Sequence, residues 1–179
     1  MRLFFDSCVI TYICLFESYL ISGNSIDFRY DKDFYKIICG SYPSCDLVKD
    51  VVLLRRLYQM DDLAHFDWLF SEIALEEIAR IKIEHKREQH IDLVDRLLEH
   101  WQIVIEEQAL SFSGKLNSIF SGFPSQMHND CLQCSEAIEF NSDYFITGDK
   151  KFIKKCRAIN EIKVLRPREI PFLKKKRIT

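Results

Sequence analysis

Asp6, Glu77, Asp130 and Asp149 are the side chains whose positions in this sequence invite chemistry. Asp6 closes the apolar run Leu3-Phe4-Phe5. Asp149 closes the turn Ile146-Thr147-Gly148-Asp149. Asp130 opens a segment that feeds that turn, and Glu77 lies in the segment after a second apolar run. Four carboxylates drawn to one place repel one another unless cations neutralise them. Mg²⁺ or Mn²⁺ suits such a set, because both prefer carboxylate oxygens and water. An ion of this kind lowers the pKa of a bound water so that it can attack phosphorus, and a second ion about 3.5–4 Å away steadies the leaving oxygen. None of the four is a good nucleophile, so direct attack by water is the expected chemistry. Each also has an ordinary reading. Asp6 suits a helix N-cap, Asp130 a partner of a helix dipole, Glu77 a solvated helix position and Asp149 a turn.

The elements that would position these residues follow from hydropathy. Leu3–Phe5 reads as a buried strand, and Ser7 as the cap of a helix through Val9, Ile10, Tyr12, Ile13 and Phe16. Residues 22–33 read as a loop and 33–38 as a short helix. From Asp46 the apolar positions 47, 48, 51, 52, 54 and 57 fit an amphipathic helix. His65–Phe70 alternates like a second strand, and Ser71 suits the cap of the helix from Glu72. A helix over 91–100, a strand over 103–105 and a helix over 109–120 follow. Then come a helix from Asn129 or Asp130 to about Glu139, a strand over 143–147, a short helix over 152–156 and a last strand over 162–165. Alternating strands and helices predict a three-layer α/β/α fold around a mainly parallel sheet. In such a sheet, ligands bind beyond the carboxyl ends of the strands, where Asp6 and Asp149 fall.

The chain has 179 residues, enough for a single domain over 1–179, with an insertion at about 19–60. Hydrophobic residues make up 47%, which supplies a core and excludes disorder over most of the length. Net charge is −2, so any nucleic-acid contact must come from a local basic patch. Lys150, Lys151 and Lys154, with Lys155, directly follow Asp149 and suit contacts to a phosphate backbone. The run Lys174–Arg177 reads as a solvated tail. No stretch approaches a membrane span and the start offers no usable signal peptide, so a cytoplasmic protein with no membrane partner is expected. The seven irregularly spaced cysteines fit reduced, buried thiols. Cys131-Leu132-Gln133-Cys134 falls on a helix, and its spacing with Cys39 and Cys45 suits neither zinc nor thioredoxin-type redox.

Three stretches resemble the PIN domain family over about two thirds of the chain. They are Leu3-Phe4-Phe5-Asp6-Ser7-Cys8-Val9-Ile10, then Ser71-Glu72-Ile73-Ala74-Leu75-Glu76-Glu77-Ile78, and finally Asn129-Asp130 with Ala137 and Asp143 through Phe152. The resemblance implies a metal-dependent nuclease using Mg²⁺ or Mn²⁺, commonly on single-stranded RNA. Asp6, Glu77, Asp130 and Asp149 match its acidic residues, with Thr147 and Ser7 as hydroxyls beside them. Asp143 is a weaker acidic candidate, expected at the far end of its strand. Cys8 departs from the Asn or Ser of many members, and residues 19–60 run longer than in compact members such as VapC-type toxins. A toxin with an antitoxin-like partner, a homodimer, and a non-catalytic RNA-binding or protein-interaction module therefore all stay open. A phosphatase with Asp6 as nucleophile would want an aspartate where Cys8 stands.

Overall fold

The computed structural model describes residues 1–20, 45–64, 66–82, 84–98, 102–104 and 119–171. The loop expected at 22–33, the helix at 33–38, most of the helix at 109–120, Cys39 and the basic run at 174–177 lie outside them.

Leu3, Phe4 and Phe5 have 0% exposure, because strand β1 (Arg2–Phe5) is covered on both faces. It forms the middle of a five-stranded sheet with β2 (Asp67–Ser71), β3 (Gln102–Val104), β4 (Tyr144–Ile146) and β5 (Lys163–Leu165), in the order β3-β2-β1-β4-β5. Every pairing is parallel. Phe4 stands opposite Leu69 on one side and Phe145 on the other.

The two-residue period of the strands divides the core. Leu3, Phe5, Trp68, Phe70 and Ile146 face one side. They meet Val9, Ile10 and Ile13 of α1 (Ser7–Leu15), which is followed by the single turn α2 (Glu17–Leu20). On the same side lie Leu47, Val51, Leu54 and Leu57 of α3 (Cys45–Ala64), Ala74 and Ile78 of α4 (Glu72–Ala79), and Leu93 and Val94 of α5 (Glu84–Leu98). Phe4, Leu69, Phe145 and Val164 face the other side. There they meet Cys131, Cys134 and Ala137 of α6 (His128–Glu139), and Phe152 and Cys156 of α7 (Lys150–Cys156). The fold is therefore α/β in three layers around a parallel sheet.

Several expected boundaries move. The cap of α1 is Asp6, whose side chain accepts the Cys8 N–H, and Ser7 is the first helical residue. Helix α5 begins seven residues before the expected Ile91, at Glu84, and α6 opens at His128. The expected insertion at about 19–60 overlaps a regular 20-residue helix, α3, which runs on to Ala64 and shares its core with β1. Among the described residues no helix is long and apolar enough to cross a membrane.

Topology decides where a ligand can enter. From β1 the chain builds outward through β2 and β3, then returns to the other side of β1 for β4 and β5. The crevice beyond the carboxyl ends of β1 and β4 is the switch point of the sheet.

Candidate functional site

Asp6 leaves β1 into this crevice and is almost fully buried. Its backbone N–H still donates to the Ile146 carbonyl at 3.0 Å, which ties it to the end of β4. Its carboxylate only accepts hydrogen bonds. Oδ1 receives the Ser7 hydroxyl at 3.1 Å and the Cys8 N–H at 3.4 Å. Oδ2 receives the Cys8 thiol at 3.0 Å and the Thr147 hydroxyl. Burial pushes the Asp6 pKa up, against the pull of these donors, and the charge of Glu77 adds to the rise.

Two hydroxyls stitch Asp6 to its neighbours. Ser7 Oγ reaches both Asp6 Oδ1 and, at 2.5 Å, Glu77 Oε2, so one oxygen atom lies between the two carboxylates. A serine carries a single hydroxyl proton and serves only one of them at a time. Thr147, with no exposure, donates to Asp6 and accepts the Asp149 N–H at 3.1 Å. Asp149 caps α7: its Oδ1 accepts the N–H groups of Lys151 at 2.6 Å and Phe152 at 3.1 Å. Both aspartates thus serve as helix caps, the ordinary role, while standing in the cleft.

Glu77 and Asp130 complete the group. The Glu77 carboxylate accepts the side-chain amides of Asn129 at 2.7 Å and Gln133 at 3.3 Å, both on α6. Asp130 lies between those two residues on α6. Among the described residues nothing hydrogen-bonds its carboxyl. Its pKa is pushed up to about 7, by burial first and then by the charges of Asp6, Asp149 and Glu77. Among the described residues no cation offsets them there. All four sequence-derived carboxylates, with Ser7 and Thr147, therefore gather at one end of the sheet.

Electrostatic proximity is not yet coordination geometry. Among the described residues no three His, Cys, Asp or Glu side chains stand around one point as the ligands of an ion would. The carboxylates of Asp6, Glu77 and Asp149 are turned toward hydrogen-bond donors instead. The donor chemistry still fits a hard cation, because the set offers only carboxylate and hydroxyl oxygens beside one soft sulfur.

Four contributors were not identified as site residues from sequence. The Cys8 thiol donates to Asp6 Oδ2, and its sulfur accepts the Gly148 N–H at 3.0 Å, so it bridges α1 to the β4–α7 turn. Asn129 and Gln133 hold Glu77; their four-residue spacing on a helix beside Asp130 was the available signal. Gly148 lets the Tyr12 hydroxyl approach closely, and an added Cβ there would push the Tyr12 ring aside. Asp143 sits at the opposite end of the sheet, where it accepts the Arg2 N–H at 2.9 Å. Lys151 and Lys154 are exposed on α7, whereas Lys150 pairs with Asp46 at 2.7 Å. Cys131, Cys134 and Cys156 lie in the apolar core between α6, α7 and the sheet.

No protein-family model matches the chain, and neither a curated protein nor a solved structure matches it, so the site's reading rests on its own geometry and charge.

Proposed function

We propose that this crevice is the active site of a PIN-like, Mg²⁺- or Mn²⁺-dependent nuclease that hydrolyses phosphodiester bonds in single-stranded RNA. The observation that supports it is the clustering of four carboxylates at the switch point of a parallel sheet, with Asp6 and Glu77 linked through the Ser7 hydroxyl and Asp130 within the field of the other three. Asp6, Glu77, Asp130 and Asp149 would hold the metal. When bound, Mg²⁺ or Mn²⁺ supplies Lewis acidity at the phosphate and lowers the pKa of the attacking water. Ser7 and Thr147 fix the directions of the Asp6 and Glu77 oxygens. Cys8 anchors the turn that carries Asp149, and Asn129 with Gln133 holds Glu77. Lys150, Lys151 and Lys154, exposed on the helix that Asp149 caps, would steady the RNA backbone.

Asp130→Asn and Asp149→Asn test the reading. Asp130 makes no hydrogen bond among the described residues, so an amide there leaves the fold intact. Both variants are expected to keep the wild-type circular dichroism and lose at least about a hundredfold in cleavage of a labelled RNA, on the scale of losing one charge-stabilising group. Metal-dependent cleavage persisting in both would remove the proposal.

A non-catalytic RNA-binding or protein-interaction module is the second reading. It is favoured by the absence, among the described residues, of three side chains poised around one ion. Calorimetry with Mn²⁺ separates the two. RNA binding without Mn²⁺ binding selects the module.

A further inference from the structure

Beside the acidic crevice, at the carboxyl end of β5, a second group of charges behaves differently. Arg166 follows β5 directly and is buried; its guanidinium pairs with the fully buried Asp50 and lies 3.5 Å from Asp46. Arg168 pairs with Asp46 through its side chain and donates its backbone N–H to Asp50 at 3.2 Å. Lys150, next in sequence to Asp149, is the third cation on Asp46, at 2.7 Å from Oδ2. Arg168 and then Lys150 hold the Asp46 carboxyl well below the usual range.

Asp46 therefore has more cations than it needs. The two arginines are held by Asp50 and by burial, with side-chain exposures of 6% and 23%. Lys150 is 63% exposed, and its stem starts one residue from a candidate metal-holding carboxylate. Losing it leaves Asp46 still facing two guanidiniums. Arg166 cannot leave without taking from the buried Asp50 its closest guanidinium, and weakening a buried pair is strongly unfavourable.

We propose that Lys150 is a phosphodiester-binding residue of the crevice and that Asp46 is its resting partner, released when an RNA phosphate enters. The inference rests on the nuclease reading for the identity of the strand. A phosphate oxygen at the mouth of the crevice replaces the Asp46 oxygen as acceptor for the ammonium, and one charge-assisted bond is exchanged for another. Asp46 thus tunes RNA affinity without touching RNA.

The test is fluorescence anisotropy with a labelled single-stranded RNA oligonucleotide and the full chain, in an Asp130→Asn background that suspends cleavage. Lys150→Gln is expected to weaken binding several-fold and to lower the slope of log affinity against log salt by roughly 0.7, the value for one phosphate contact on a single strand. Asp46→Asn is expected to tighten binding when Lys150 is present, and to have no such effect once Lys150 is Gln. Equal tightening with and without Lys150 would show Asp46 acting only as bulk charge and overturn the exchange. Unchanged binding in Lys150→Gln, with weakening in Lys151→Gln and Lys154→Gln, would overturn it and leave the RNA reading standing. Binding unmoved by all three lysine variants and by salt would sink the RNA reading and the exchange together. Lys150 is exposed, so its variant folds even where Asp46→Asn loosens the start of α3.

Discussion

Two groups of charge sit side by side at the carboxyl edge of the sheet, and they follow opposite rules. In the β5 group every carboxylate has a cation: Asp50 has Arg166 and Arg168, and Asp46 has Arg168, Arg166 and Lys150. In the crevice four carboxylates face hydroxyls, amides, a thiol and one another, and the Asp130 pKa is raised by burial first and then by the like charges of Asp6, Asp149 and Glu77. Ion pairs drawn from α3, α7 and the segment after β5 hold the molecule together. A like-charged group set at the switch point opposes its own assembly and persists because the fold around it is stable elsewhere.

The contrast can be broken most sharply at its compensated side. Asp50→Ala takes from the buried Arg166 its closest partner and leaves it only Asp46 at 3.5 Å, and urea denaturation is expected to register a loss of about 3–5 kcal/mol. An unchanged midpoint would mean that the network is not structural. In the crevice, Mn²⁺ at a hundred times its Kd should stabilise the protein by about 2.7 kcal/mol, and this gain should shrink in Asp130→Asn. Equal gains in the two proteins would place the ion elsewhere.

Smaller effects separate the carboxylates from one another. Asp6 only accepts hydrogen bonds, so in Asp6→Asn an amide NH₂ meets the Ser7, Thr147 and Cys8 donors, and a loss of about 1–3 kcal/mol is expected in thermal melts. Asp130 behaves in the opposite sense. Its folded pKa, about 7, lies above the ordinary value of 3.8, so the folded state holds its proton more tightly than the unfolded chain. This contribution is fully present below the ordinary value and is lost as pH rises through about 7. With EDTA present, wild-type stability should fall across that window, and Asp130→Asn should flatten the fall and melt about 2–5 °C higher at pH 8. A variant that melts lower than wild type at pH 8 would remove the repulsion argument.

Asp6 and Asp149 were legible in the sequence because one directly follows the short apolar run Leu3–Phe5 and the other closes the turn after Tyr144–Ile146, and a parallel sheet turns both strand ends to one edge. The choice of Asp6 over Ser7 as cap was not legible, since both residue types cap well and only the backbone angles decide. The front of α5 escaped because Glu84 to Gln89 carries no apolar residue to mark a buried face. The hold of Asn129 and Gln133 on Glu77 and the pairing of Asp50 with Arg166 depend on which helix lies against which, and no local pattern encodes that. The standing of Cys8 could be read only in part. A thiol looks like a poor donor on paper, yet here it takes one hydrogen bond as it gives another.

The placement of β1 at the centre of the sheet has a consequence for biosynthesis. Strands β1, β2 and β3 can pair as they emerge, but β4, whose residues lie some 140 positions after their partners in β1, arrives much later. Contacts of such sequence separation form slowly. Until Tyr144–Ile146 docks, Thr147 and Asp149 are held away from Asp6, and a nascent chain carries its first carboxylate without the last. The crevice is thus assembled by one of the final steps of folding.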